Sequence, residues 1–358
     1  MSHLSTFRQS LLEAGFEGAI VSCKQHQRYL SDFDFDDGLV LVTGSTAYLL
    51  TDFRYIEAAR AQCSRELEVL QPAHGLLPCV RELLEAGGCR RVAIEESTLS
   101  YAEYQSWCEL LPGVSLESGA SRLLTRQRET KTDEELACMA KAQALTDAAF
   151  AHILNFIRPD MTETDVALEL EFFMRKNGAD GLAFDTIAVS GSNSSRPHGV
   201  PRHRKLEKGF LTMDFGARVN GYCSDMTRTV VIGKADGEMK RLYGTVLRAQ
   251  LAALEAAAEG ASCAGLDRIA RDIIDGAGYA GTFRHSPCHG EGRFIHENPR
   301  LSPKAAPGEV LRRGNVVTFE PGIYLKGKYG CRIEDMVAIR PDGSVLNFTK
   351  SPKELIEL

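Results

Sequence analysis

The chain has 358 residues, of which 44% are hydrophobic and 25% charged, and a net charge of −6. Such a composition excludes a disordered protein, and the length predicts two cores rather than one. Charges of both signs are interspersed, which argues against nucleic acid or an anionic membrane as partner, and no apolar run approaches the ~18 residues of a membrane span.

The opening stretch, MSHLSTFRQSLLEAGFEG, has no basic segment leading into an apolar one, so the expected location is the cytoplasm. Its LSTFRQSLLEAG has helical spacing and stops at Gly15. AIVSC, LVLVTG and AYLLTD then read as strands. FRYIEAARAQC reads as a helix, LEVL as a strand, PCVRELLEAGG as a helix, RVAIEE as a strand and YAEYQSWCELL as a helix. This alternation predicts a layered α/β domain. Through VSLESGASRLLTRQRETKTDEE the charge rises and the periodicity lapses, which puts a boundary near residue 125 and divides the chain into 1–125 and 126–358. Ten scattered cysteines without a CxxC pair read as free thiols of a reducing compartment.

Thr132 and Glu135 form a capping box for a helix that runs to about Ile157 and stops before Pro159. A second helix is expected from Thr162 to just before Gly178. After FDTIAVSG, the segments GFLTMDFGARV and GYCSDMTRTVVIG meet at Asn220-Gly221, a strong hairpin signal. Residues 238–258 and 265–277 read as two more helices, and NVVTFEPGIYL with CRIEDMVAI as a second hairpin. Two helices followed by an acid-bearing hairpin, twice over, predict an α+β domain with an internal pseudo-twofold repeat.

A two-residue loop at Asn220-Gly221 sets Asp214 opposite Thr227 and places Asp225 diagonally on the same face, roughly 7–8 Å from Asp214 at Cα. In the second hairpin Glu320 and Glu334 are symmetric about Gly327. Buried without compensation, such carboxylates cost on the order of several kcal/mol each. Any one of them fits a solvated face. Their recurrence in equivalent hairpins, with a histidine nearby, fits a two-metal hydrolytic site with hard oxygen donors for an ion such as Mn²⁺. Residues 285–300, HSPCHGEGRFIHENPR, offer a competing structural zinc site from His285, Cys288, His289 and His296. That reading needs regular spacings the segment lacks, and it leaves the acids unexplained.

The ordered set Asp214, Asp225, His289, Glu320 and Glu334 resembles the metal ligands of the proline-specific pita-bread metallopeptidases, the prolidases and Xaa-Pro aminopeptidases. MDFGARVNGYCSDMTRT, CHGEGRFIHE, TFEPGIYL, RIED and SGSNSSRPHG resemble that family's motifs, and YLLTDFRYIEAARAQ resembles its creatinase-like N-terminal domain. The resemblance covers nearly the whole chain. It implies a creatinase-like α/β domain followed by a pita-bread catalytic domain, and two divalent ions, Mn²⁺ foremost with Co²⁺, Zn²⁺ or Fe²⁺ as alternatives. Asp214 would bind one ion, His289 and Glu320 the other, with Asp225 and Glu334 bridging. His198, His296 and Glu320 would be catalytic, the two histidines flanking the substrate and Glu320 relaying a proton. The substrate would be a proline-containing peptide or dipeptide, and the assembly a homodimer. The sequence tilts slightly toward an aminopeptidase over a strict dipeptidase. A creatinase-type C–N hydrolase and a catalytically silent binding module are rivals, and the retention of all five ligands counts against both.

Two departures stand out. Glu291 and Arg293 replace aliphatic residues of the family pattern, and they are expected either to line the substrate pocket or to form an inert ion pair. Arg300 sits where short prolidases can carry an arginine for a dipeptide carboxylate, and Arg332 is a second basic group beside the site. Either arginine also fits plain charge balance. Cys223, Cys288 and Cys331 neighbour ligands in sequence and read as small packing residues.

Overall fold

Alternation along the N-terminal strands decides how the first layers pack. Val40 and Val42 face one cluster with Leu4, Phe7 and Leu11, while Leu39 and Leu41 face another with Val80, Leu84 and Trp107. The computed structural model describes residues 1–158, 160–283 and 288–358, and it divides into two units, Met1–Arg128 and Glu129–Leu358. The first unit is a six-stranded mixed sheet. Its spatial order is Glu68–Leu70, Ala47–Thr51, Gly38–Thr43, Gly18–Val21, Arg91–Ile94 and Ser115–Ser118, with helices against it.

Every predicted element of this unit is present, and three more accompany them. Helix Lys24–Ser31, strand Ser115–Ser118 and helix Ala120–Arg128 occupy stretches without clear periodicity. The last helix buries only Ala120 and Leu124 as apolar anchors. Leu123 packs partly buried against the same core, and polar contacts add to the attachment. Arg128 reaches the Nε2 of buried His26, whose Nδ1 meets Glu95, and Glu95 Oε2 accepts from the amides of Ser22 and Cys23 at 2.5 and 2.6 Å. Cys23, His26 and Glu95 lie close enough to suggest a metal cage. With both imidazole nitrogens and both carboxylate oxygens engaged, they form a hydrogen-bonded network instead.

The second unit runs twice through helix, helix, hairpin. Helices Asp133–Phe156 and Glu163–Lys176 carry the capping boxes Thr132/Glu135 and Thr162/Asp165 and precede a sheet of Ile187–Ser190, Gly209–Phe215 and Met226–Ile232. Helices Gly237–Glu255 and Cys263–Ile274, capped by Asp236 and Ser262, precede a five-stranded sheet containing Cys288–Gly290, Val316–Phe319 and Asp335–Ile339. Among the described residues no helix is long and apolar enough to cross a membrane.

Candidate metal centre and its cavity

The first hairpin turns where expected. Asn220 and Gly221 have φ of 51° and 78°, and Val219 pairs with Tyr222. Asp214 lies opposite Thr227, in the predicted register. The ladder opens at Gly216, where a Cβ would lie 1.7 Å from the Ser224 carbonyl oxygen, and Asp225 emerges at that opening. The second hairpin keeps one register through two ladders, Val316–Phe319 with Asp335–Ile339 and Gly322–Leu325 with Tyr329–Arg332. Glu320 and Glu334 fall opposite one another at the break.

Two buried arginines lock the hairpins together. Arg228 donates to the carbonyls of Thr227 (3.0 Å) and Glu334 (2.6 Å) and to Asp335 Oδ1 (2.8 Å). Arg332 pairs with Asp214 and donates from Nε to Thr227 Oγ1 (2.9 Å) and from Nη1 to the Tyr324 hydroxyl (2.6 Å). The Thr227 hydroxyl in turn donates to Glu334 Oε2 at 2.7 Å. Sequence reasoning overlooked Arg228, whose only signal was a charge in an otherwise apolar strand.

His289 arrives from the five-stranded sheet. A hydrogen bond between its Nδ1 and the Gly290 carbonyl (3.1 Å) puts the proton on Nδ1 and leaves Nε2 as a lone-pair donor, 3.6 Å from Asp225 Oδ2 and 3.7 Å from Glu320 Oε1. Ligand atoms of Asp225, His289 and Glu334 all lie within 4.8 Å of one another. Asp214 Oδ1, Asp225 Oδ1 and Glu334 Oε1 are buried with no hydrogen-bond partner among the described residues. Burial first, then mutual repulsion, pushes Asp225 and Glu320 well above the usual carboxylate range and Glu334 up to about 8. A cluster of anions that resist ionisation, with oxygens left unsatisfied and one imidazole lone pair among them, fits divalent cations.

The donors floor a cavity of about 610 Å³. His198, His296, Arg300 and Arg332 also line it. The His296 ring meets that of His289 edge to face, with centroids 4.6 Å apart. Desolvation, then Arg300 and His198, holds the His296 imidazole below its usual pKa. Glu291 and Arg293 do not line the cavity, which corrects the expectation for both. A bulge between His289 and Gly290 breaks the strand alternation that would have kept Glu291 on the face of His289. Glu291 is fully buried, and both its oxygens lack a partner among the described residues. Burial, and then Glu334, keeps its carboxyl well above the ordinary range. Arg293 stacks over the Tyr222 ring at 4.5 Å and donates to its hydroxyl, which donates to Glu135 at 2.7 Å. Arg293 thus engages Tyr222, while the Glu291 oxygens accept no hydrogen bond from it among the described residues. Cys223, Cys288 and Cys331 are buried, and desolvation raises each thiol, Cys331 to about 12. Cys288 stays out of the metal-capable grouping, and His285 lies outside the described residues.

Carboxylates and an imidazole converging beneath a peptide-sized cavity, on two helix–helix–hairpin halves, define a metal-dependent hydrolase. The chain belongs to metallopeptidase family M24, whose pattern matches residues 137–341, and residues 3–130 match the creatinase/prolidase N-terminal domain. It is 37% identical to the uncharacterized peptidase YqhT of Bacillus subtilis over 99% of both chains. It is 40% identical to the Xaa-Pro dipeptidase of Pyrococcus furiosus over 73% of this chain and 74% of that one. Among solved structures, an Xaa-Pro dipeptidase from Bacillus anthracis superposes with a TM-score of 0.94 at 39% identity, covering 99% of each chain. An X-Pro aminopeptidase from Thermotoga maritima superposes at 0.90 and 31% identity, covering 98% and 100%. Membership carries with it a requirement for divalent metal.

Proposed function

We propose that the chain hydrolyses the bond between an N-terminal residue and proline, with Asp214, Asp225, His289, Glu320 and Glu334 holding two Mn²⁺ ions. The observation that carries this reading is the set of three buried carboxylate oxygens that lack a hydrogen-bond partner among the described residues, beside the Nε2 of His289. Divalent ions bound there supply Lewis-acid activation of water and positive charge for a developing oxyanion.

The chain's own residues do the rest. Glu320 accepts a proton from the attacking water and passes it to the departing proline nitrogen, a secondary amine that leaves readily only when protonated. His198 and His296 stand exposed on the cavity wall, where each can hydrogen-bond the scissile carbonyl. A lowered pKa keeps His296 neutral near pH 7, so it presents one N–H and one lone pair. Arg332 is tied to Asp214 and Tyr324 and orients the donor set.

Substrate length turns on Arg300. Its Cα pairs with that of His289, its side chain lines the cavity, and it has no ion pair among the described residues. A free guanidinium one strand from the metal donors suits the carboxylate of a dipeptide, and this favours dipeptides over the longer substrates to which the sequence alone tilts. The test is metal analysis with an assay of Xaa-Pro and Xaa-Pro-Yaa peptides after reconstitution with Mn²⁺, Co²⁺, Zn²⁺ or Fe²⁺. Absence of stoichiometric metal, or no cleavage of either class with any ion, refutes the proposal.

A further inference from the structure

One carboxylate on the cavity wall is not used by the metal donor set. Asp185 lies between Phe184 and strand Ile187–Ser190, lines the cavity and is exposed. It has no hydrogen bond or ion pair among the described residues. The other cavity carboxylates are Asp214, Asp225, Glu320 and Glu334, and Arg332 is bound to Asp214. Outside the donor set the cavity therefore presents, among the described residues, one free anion, Asp185, and one free cation, Arg300.

We propose that Asp185 selects a basic side chain, lysine or arginine, on the residue preceding proline. The proposal rests on the Xaa-Pro reading and follows from placing the charges of such a dipeptide. The C-terminal carboxylate goes to Arg300. The α-ammonium is joined through Cα to the scissile carbonyl carbon, about 2.5 Å away, so it stays beside the buried donor set. A cationic side chain extends away from that centre and needs apolar surface for its stem with an anion at its end. Phe184 and Ile187 flank Asp185, and Val200 lines the same cavity with 76% of its surface exposed. A charge pair in this solvated position discriminates by up to about fivefold rather than a thousandfold.

The experiment compares Lys-Pro, norleucyl-proline and Glu-Pro on the Mn²⁺-loaded protein. Norleucine matches the lysine stem without the charge. In the wild type kcat/KM for Lys-Pro exceeds that for norleucyl-proline, and added salt shrinks the ratio. Asp185→Asn lowers the ratio about three- to fivefold, and Asp185→Lys reverses the order so that Glu-Pro is cleaved faster than Lys-Pro. A purely structural role would not reverse a charge preference. A ratio within twofold of wild type in Asp185→Asn overturns the proposal. If no Xaa-Pro peptide is cleaved, the proposed function falls separately. Calorimetric binding of Lys-Pro and norleucyl-proline then decides on Asp185, and an unchanged ratio of Kd values between wild type and Asp185→Asn overturns it.

Discussion

Glu163→Gln tests how the cavity wall is held. The Glu163 carboxylate, buried in the first turn of its helix, accepts from Ser190 N (2.7 Å), Ser190 Oγ (2.9 Å), Asn193 Nδ2 (2.9 Å) and Arg202 N, Nε and Nη2 (3.0, 2.9 and 2.9 Å). These donors bracket the segment that carries His198. Burial acts to raise the Glu163 pKa, but Arg202 and Ser190 outweigh it and hold the group below its ordinary 4.5. Glutamine keeps one acceptor oxygen and turns an amide N–H₂ toward donors. Breaking a buried ion pair costs ~3–5 kcal/mol. Arg202 keeps 32% of its side chain exposed, so about 3 kcal/mol is expected here. In a unit of this size that lowers Tm by about 6–12 °C, and a displaced His198 loses roughly ten- to a hundredfold in kcat/KM. A group with a depressed folded pKa contributes its stability above the unfolded value and loses it as pH falls through the folded one. The gap between wild type and variant is thus constant above about pH 5 and narrows below 4.5, by at most ~1.4 kcal/mol per pH unit. Calorimetry across pH 3–7 measures it. A gap under 1 kcal/mol at pH 7, or one that widens on acidification, refutes the account.

The remaining predictions concern the metal centre. Mn²⁺ at about a hundred times its Kd stabilises the native state by about 2.7 kcal/mol, raising Tm by roughly 5–11 °C. A chelator reverses the gain, and Asp225→Asn abolishes it along with the bound metal seen by elemental analysis. Arg300→Ala raises KM for Xaa-Pro dipeptides at least tenfold more than for Xaa-Pro-Yaa tripeptides, a difference of about 1.4 kcal/mol. Equal effects on both would remove the dipeptide reading. Glu291→Ile removes a buried carboxyl with no hydrogen-bond partner among the described residues, so stability is kept or gained by about 1–3 kcal/mol, and the Lys-Pro to norleucyl-proline ratio stays as it was. A shift in that ratio would return Glu291 to the pocket. Gly216→Ala forces a Cβ against the Ser224 carbonyl and displaces Asp225, lowering Mn²⁺ affinity at least tenfold by titration calorimetry.

What was legible in the sequence was whatever depended on local pattern and pairing arithmetic. Asn220-Gly221 specifies its own turn, and a two-residue turn dictates that Asp214 meets Thr227 across the ladder. Symmetry about Gly327 did the same for Glu320 and Glu334. What stayed hidden depends on contacts distant in sequence. The Glu163 carboxylate binds partners 27 to 39 positions away, and nothing in TETDVALELE announces them. Helix Ala120–Arg128 is anchored through His26, 102 positions earlier, so its weak apolar pattern concealed it. The misplacement of Glu291 and Arg293 has one cause. The family pattern placed both residues by their position along the chain, and the bulge at Gly290, where a Cβ would lie 2.2 Å from the Asn298 carbonyl oxygen, depends on a partner strand that such a pattern does not include.

The two halves open their ladders at the acids by different chemical means. A continuous antiparallel ladder would pair every backbone group and give each acid only the room that the pleat allows. In the first half Gly216 permits a backbone approach that no side chain could survive, and Asp225 turns out of the strand beside it. In the second half Pro321 follows Glu320. Having no N–H, proline cannot continue the ladder, and its carbonyl accepts only a long 3.4 Å bond from Ile333. Register survives both interruptions because the flanking ladders resume on the same count, so Glu320 and Glu334 stay opposed and Asp225 stays diagonal to Asp214 while all gain freedom to converge. Arg228 donates to the carbonyls of Glu334 and Thr227, the latter also accepting from the Glu334 amide at 3.1 Å, and so ties the two hairpins where they meet. A buried arginine in an apolar strand thus braces the region where the acids are freed. The metal donors and their support follow from one backbone feature, reached once through glycine and once through proline.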